Sequence, residues 1–550
     1  MLIRALPSRR PVSAVKWAAL ALSVIALTAC AGREPPKAGA AGGLFAAGLS
    51  EMADFYIAPV SNRRLALSGA AWLSRLDDKL TVADSLGARF GDALTLSYDG
   101  RVIALYAVPP DNDSRKWGEL ITEIIATAKE ASPRLAAVPH ETIETAVFSG
   151  MTAALDRFSR YSAPALARDQ RAARDGFGGI GVTLDTTDET FRVTAVAPRS
   201  PAERGGIRPE DHIVAINGDP TAGDPHEDVV HRLRGPVGSA VAVSIQHTGM
   251  AQPREVRLRR AYVVLPTVTL SRDGNIAIFQ ITGFNHSTAQ RIAKGLADAE
   301  QQAGGQLAGI VLDLRGNPGG LLDQAVNLTD LFIAKGSIVS TVGRHPASRQ
   351  YFAAAGGSIA PHLPIVVLIN GGSASAAEIV AAALQDAGRA VVVGTSSYGK
   401  GTVQTVLRLP NDGELIVTWA RLVTPSGYFL QVHGVVPTLC TADLANDASG
   451  FNVGLQRIAA AGADTGLTFR PRAALDEPGW FALRKSCPPA HTHPAIDLKL
   501  AKRMLADPKL YSAALGALPA TTRLAENAPA GVSPEPALTD VDRALSLRSR

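Results

Sequence analysis

Two residues near the middle of the chain have the types and setting for nucleophilic chemistry: Ser375 and, 25 positions later, Lys400. Ser375 follows the apolar run Ile365-Val366-Val367-Leu368-Ile369 and the turn Asn370-Gly371-Gly372-Ser373-Ala374. It precedes Ala376, Ile379, Val380, Ala383 and Leu384, which recur at helical spacing. The pattern predicts a strand, a sharp turn and a helix, with the hydroxyl presented at the turn and the helix N-terminus facing a developing oxyanion. A serine hydroxyl needs an adjacent base. None of the 11 histidines falls in a triad-like pattern, His433 being the nearest downstream. A lysine serves as base when its pKa falls from ~10.4 to about 7, a differential of roughly 4–5 kcal/mol that burial can supply. Lys400, between Gly399 and Gly401 and beside apolar strands, is placed for it.

The same lysine ends Gly394-Thr395-Ser396-Ser397-Tyr398-Gly399-Lys400, which satisfies the G-x-x-x-x-G-K of a phosphate loop. Gly401 stands where that motif requires Ser or Thr for Mg²⁺. Thr402 to Leu409 alternate like a strand, whereas a phosphate loop must open a helix. Nucleotide hydrolysis is set aside on these two failures.

The elements around the pair alternate strand and helix. Ile276 to Ile281, Gly309 to Leu314, Ile365 to Ile369 and Ala390 to Val393 read as buried strands, and the alternation implies an α/β core with largely parallel strands. The 550 residues allow about three or four domains. With 46% hydrophobic and 19% charged residues, global disorder is excluded. A net charge of +5 without a long basic run excludes a nucleic-acid binder. Upstream, residues 94–108 alternate as two strands around Asp99-Gly100, and Phe55 to Leu76 and Trp117 to Ala128 carry helical spacing.

Between Gly178 and Tyr262 the texture changes to short strands and turns. Gly178-Gly179-Ile180-Gly181-Val182, Ser200-Pro201-Ala202-Glu203-Arg204-Gly205-Gly206-Ile207 and Asp211-His212-Ile213-Val214-Ala215-Ile216-Asn217-Gly218 follow in order. This stretch resembles a PDZ domain of the bacterial protease type, β-rich with two helices, over roughly residues 176–262. Backbone N–H groups at Gly179, Ile180 and Gly181, with the strand begun by Val182, would hold the terminal carboxylate and extended tail of a peptide.

Residues 275–440 resemble the catalytic domain of the C-terminal processing peptidases, or tail-specific proteases. The matching segments are Asp313-Leu314-Arg315-Gly316-Asn317-Pro318-Gly319-Gly320, Gly372 to Glu378, Gly399-Lys400-Gly401-Thr402-Val403-Gln404 and Thr424-Pro425-Ser426-Gly427. Leu155-Asp156-Arg157-Phe158-Ser159-Arg160-Tyr161 extends the likeness upstream. The resemblance implies a multidomain α/β protein with a crotonase/Clp-like serine protease core. It implies Ser375, rather than Ser373, as nucleophile, Lys400 as base, Gln404 orienting the lysine, and Gly319 and Ala376 N–H groups as the oxyanion hole, with Gly320 a rival for the first. Asp386 falls on an acidic support position. Ala377 replaces the family's second serine, and an acidic residue is missing after Pro437. No metal or organic cofactor is implied.

The first thirty residues read as an address. Arg4, Arg9, Arg10 and Lys16 precede the apolar run Trp17 to Ala29, too short to span a bilayer. Leu27-Thr28-Ala29-Cys30 resembles a lipobox, which implies lipidation of Cys30, the alternative being a signal anchor with an incidental cysteine. In an oxidising envelope, Cys440 and Cys487 admit a disulfide or two unpaired buried thiols. The expected organisation is a signal peptide at 1–29, a tether at 30–45, a mostly helical region at 46–175, the PDZ domain at 176–262, the peptidase core at 263–445, a helical extension at 446–523 and a disordered tail at 524–550. The expected function is a lipid-anchored, periplasmic-side serine endopeptidase that acts on protein substrates through their C-termini, with an adaptor or activator protein as a further partner. The rival is a non-catalytic lipid-anchored PDZ adaptor that keeps a protease-like fold.

Overall fold

The computed structural model describes residues 41–516 apart from 86–91, 188–189, 248, 251, 461–476 and 493. The signal peptide, Cys30, residues 30–40 of the tether and the tail at 524–550 lie outside the described residues. Among the described residues no helix is long and apolar enough to cross a membrane.

The N-terminal region contains helices α1 (Ala41–Phe55), α2 (Asn62–Ala71), α3 (Ser114–Ala131) and α4 (His140–Ala153), and a meander of β1 (Leu80–Ser85), β2 (Ala93–Tyr98) and β3 (Arg101–Ala107). Residues 41–45, expected as tether, belong to α1. Phe45, Leu49 and Met52 form one buried stripe on it, and that apolar face outweighs the glycine-rich start. The expected helix from Phe55 to Leu76 is interrupted, because the Ser61 side chain accepts from Arg64 N–H and starts α2 anew. Asp99 and Gly100 both take positive φ, as the β2–β3 hairpin turn requires. This unit packs onto the protease core through Leu409, Leu415 and Val417.

After β4 (Arg160–Ser162) and α5 (Pro164–Asp175) comes the PDZ-like unit: β5 (Phe177–Gly179), β6 (Val182–Thr187), β7 (Thr190–Val196), β8 (His212–Ile216), β9 (Asp219–Pro220), α6 (His226–Leu233), β10 (Ala240–Gln246), β11 (Arg254–Arg259) and β12 (Ala261–Val263). The main sheet runs β11-β10-β8-β7-β6, and β12 pairs with β5.

The core sheet runs β13-β14-β15-β18-β19-β22, made of β13 (Val268–Asp273), β14 (Ile276–Ile281), β15 (Gly309–Asp313), β18 (Ile365–Ile369), β19 (Ala390–Gly394) and β22 (Leu439–Cys440). Every pairing from β14 to β22 is parallel. A parallel sheet must be covered on both faces, and its strands are accordingly apolar throughout. Ile365, Val367 and Ile369 face α7 (Thr288–Gln302), α8 (Leu322–Asp330) and α9 (Ala376–Asp386). Val366 and Leu368 face the opposite layer, built by α10 (Ala448–Ala459), α12 (Ala495–Leu505) and α13 (Pro508–Gly516), with Leu500, Ala501 and Met504 fully buried. The extension after Cys440 is thus the second helical layer of the core. A second sheet, β17-β16-β21-β20, comprises β16 (Ser337–Val342), β17 (Gln350–Ala353), β20 (Thr402–Arg408) and β21 (Glu414–Val423), and β4 adds to β21.

Candidate active site

β18 ends at Ile369, and the next five residues form a turn held by buried polar groups. Asn370 Oδ1 accepts from Gly316 and Gly372 N–H, at 2.8 and 3.0 Å. The Ser373 hydroxyl donates to Leu314 O at 2.8 Å and accepts from Asn370 N–H at 3.0 Å. Ser373 is therefore fully engaged in holding the turn. Ser375, the half-buried residue before α9, has φ +55° and ψ −113°, an uncommon backbone conformation for a residue with a side chain.

Glu378, one turn into α9, organises what surrounds Ser375. Its side chain is fully buried and accepts from Ser375 N–H (2.7 Å), Lys400 N–H (2.9 Å), Gly399 N–H (2.7 Å) and the Ser397 hydroxyl (2.5 Å). One carboxylate joins the backbones of Ser375 and Lys400. Burial pushes its pKa up, and the four donated hydrogen bonds oppose that rise. Sequence reasoning assigned Glu378 no role; the signal was the S-x-x-E spacing of a capping box.

The Lys400 ammonium has its pKa lowered, first by burial and then by Arg160, with Glu378 and Asp156 opposing. Its Nζ lies 5.6 Å from the Phe158 ring centroid. The segment before β4 builds this wall. Asp156 Oδ1 accepts from Phe158 and Ser159 N–H, and Ser159 Oγ accepts from Thr418 N–H at 3.1 Å. Tyr161, buried behind it, has its phenol pushed up to about 12 by desolvation. Phe158 and Arg160 are thus neighbours of the lysine that residue types alone did not single out.

Gln404 lies on β20 just after an irregularity in the ladder between Val403 and Gln404. Its amide nitrogen donates to Thr402 and Thr418 hydroxyls at 2.9 and 3.3 Å, and no hydrogen bond joins it to Lys400 among the described residues. Gly319 (φ +103°) sits against Ser375: a Cβ there would meet Ser375 Cβ at 2.9 Å and Ala376 N at 3.0 Å. The Gly319 N–H, however, donates to Asn317 Oδ1 at 2.8 Å. As an oxyanion donor it must first release that partner, while Ala376 N–H, at the first turn of α9, has none among the described residues. Asp386 Oδ2 accepts from Ser426 N–H and hydroxyl, fixing the Thr424–Gly427 turn. The glycines flanking Lys400 serve close packing rather than phosphate binding, since a Cβ on Gly401 would lie 1.8 Å from Gln431 N.

Cys440 and Cys487 are joined by a disulfide. In the PDZ-like unit, a cavity of about 290 Å³ is lined by Phe177, Ile180, Val182, Leu184, Val230 and Leu233. Ile180 and Gly181 carbonyls accept from Ala202 and Ala197 N–H, whereas their own N–H groups have no partner among the described residues. Gly179 belongs to β5 and pairs with Ala261. Arg234 pairs with Asp169 of α5 at the rim and lies over the Phe177 ring.

Residues 275–440 match the model of peptidase family S41, and residues 192–247 match a PDZ domain model. A carboxy-terminal-processing protease of Bartonella bacilliformis is 37% identical over 316 residues, covering 57% of this chain and 73% of the relative. The chain belongs to the carboxy-terminal processing proteases. Within that family, a protein of Bacillus subtilis is 32% identical over 55% of this chain and 63% of its own length. The solved photosystem II D1 C-terminal processing protease is 28% identical over 57% of this chain and 86% of its own, with a TM-score of 0.33. This member of the family is a serine-type peptidase with a PDZ domain, which sets aside the non-catalytic adaptor reading.

Proposed function

We propose that the protein is a lipid-anchored endopeptidase of the bacterial cell envelope, facing the periplasm, that cuts proteins recognised by their C-terminal tails with a Ser375–Lys400 dyad. The observation that carries the dyad is the Glu378 carboxylate, which fixes both backbones to one buried charge. Neutral Lys400 removes the Ser375 proton as Oγ attacks the scissile carbonyl. The oxyanion is received by Ala376 N–H, with Gly319 or Gly320 as second donor. Protonated Lys400 then returns its proton to the leaving amine, and water, deprotonated by the same lysine, hydrolyses the acyl-enzyme. Gln404 orients the lysine in this reading. An apolar tail would enter the PDZ cavity with its carboxylate on the Ile180 and Gly181 N–H groups.

The test is cleavage of an unfolded reporter with an apolar C-terminal tail. Ser375→Ala and Lys400→Ala are each expected to lower kcat by about 10³-fold or more, with a double variant no worse than either. Equal cleavage by all would end the dyad assignment. For the anchor, Cys30→Ala is expected to abolish incorporation of labelled fatty acid and release the protein from membranes; retained label would overturn it.

A further inference from the structure

The segment after Cys440 reaches back under both loops of the candidate site. The helix α11 (Glu477–Ser486) ends one residue before Cys487, whose bridge to Cys440 ties it to the last core strand. From α11, Arg484 donates to Ser397 O at 2.6 Å, Tyr398 O at 3.1 Å and His433 O at 2.8 Å. Ser397 and Tyr398 directly precede Gly399-Lys400, and the Ser397 hydroxyl is itself bound to Glu378. The guanidinium also supplies a cation near the buried Glu378 carboxylate. Gly434 makes room for it, since a Cβ there would lie 2.6 Å from Arg484 Nη1. Trp480, buried on the same helix, stacks on His433 with centroids 4.8 Å apart. Beyond the disulfide, the chain turns to the other loop. Ala490 O accepts from Gly371 N–H at 2.7 Å, and Thr492 O accepts from Asn370 Nδ2 at 3.0 Å.

We propose that residues 480–492 form a strap that sets the geometry of the catalytic loops, with Arg484 as its positioning residue for Lys400 and the Cys440–Cys487 bridge as its fastening. The inference rests on the Ser375–Lys400 reading. Arg484 touches three carbonyls and no reacting atom, so it acts through the backbone that carries Lys400. A misplacement of the base by about 1 Å can lower the rate 10²-fold without altering substrate binding. Because the tail-binding cavity belongs to another unit of the molecule, loss of the strap affects kcat rather than KM.

The full chain, purified in mild detergent, is assayed on the unfolded tail-bearing reporter. Arg484→Ala is expected to lower kcat about 30- to 100-fold with KM within about twofold. Arg484→Lys, which keeps the charge and part of the donor capacity, is expected to recover roughly a third or more of the lost activity on a logarithmic scale. Val102→Ala, at an exposed side chain of β3 outside the strap, leaves both constants unchanged. Dithiothreitol passes two electrons and two protons to the bridge, leaving two cysteine thiols and its own cyclic disulfide. It is expected to lower kcat of the parent and to leave a Cys440→Ser/Cys487→Ser double variant, already slow, unaffected. Parent-like kcat in Arg484→Ala overturns the proposal. So does a fall that tracks loss of folded protein by circular dichroism and is not recovered by lysine. Ser375→Ala is run alongside: if it still cuts, the dyad reading fails, and if it is silent while Arg484→Ala cuts like the parent, only the strap fails.

Discussion

The two sites of this peptidase handle backbone N–H groups in opposite ways. In the PDZ-like unit, the Ile180 and Gly181 N–H groups have no partner among the described residues and stand open to an acceptor from outside. At the proposed catalytic turn, the N–H groups of Ser375, Gly399 and Lys400 are closed on a carboxylate that the protein brings itself. The first arrangement is a receptor, which gains a ligand by satisfying donors. The second is a scaffold, in which a buried charge is tolerable only because its acceptors are saturated. In the proposed reading, recognition uses open hydrogen-bonding capacity, whereas the catalytic turn closes it, with Ala376 N–H left open among the described residues.

The sharpest way to break this contrast is Glu378→Gln, which keeps the shape and replaces acceptor capacity with an NH₂ facing N–H donors. Kinetics should show kcat down about 10²–10³-fold, and thermal melting a loss of about 2–3 kcal/mol from the unpaired buried groups. Unchanged kcat would mean that the carboxylate is not what aligns the dyad. On the receptor side, Gly178→Ala places a Cβ 2.1 Å from Gly235 O, so the turn that carries the cradle must move. It should raise KM for the tail-bearing reporter about 10- to 100-fold and leave kcat unchanged. Amidating the reporter's C-terminus removes the charge itself and should raise KM about tenfold in the parent, with no further effect in Gly178→Ala. The smallest effect concerns pH. Burial lowers the Lys400 pKa, so the neutral base is lost as pH falls through that lowered value. A kcat profile should rise with pH to a plateau whose midpoint lies below an ordinary lysine's. A midpoint at the ordinary value would remove Lys400 as the base.

Contiguous motifs made the centre of the molecule legible. Ser375 and Lys400 each sit in a short run whose apolar neighbours announce strand, turn or helix, and the parallel order of β14, β15, β18 and β19 follows from their uninterrupted hydrophobicity. What stayed hidden was set by pairing across sequence distance. Glu378 received no role because its donors beyond Ser375 lie 19 to 22 positions away. Nothing in Asn317-Pro318-Gly319 announces that the asparagine occupies the Gly319 N–H. The spacing from Asp497 onward indicates an apolar helical face but not the sheet it meets, and Pro508 divides that face between α12 and α13. At the other end, alanine and glycine content suggested a tether as far as residue 45, where residues 41–45 already open α1 and Phe45 is buried.

The covering of the β18 face by α12 and α13 has a consequence for the order of events during synthesis. Val366, Leu368, Val391 and Val393 share a cluster with Ile458 of α10, but most of its helical side, Leu500, Met504 and Tyr511 among it, is made only later. At about 5–20 residues per second, the stretch after Cys440 takes several seconds to translate. Throughout that interval Ser375 and Lys400 already exist in the chain while one face of the sheet beneath them lies partly bare. A nascent copy therefore carries Ser375 and Lys400 on a half-covered sheet until α12 and α13 have been made.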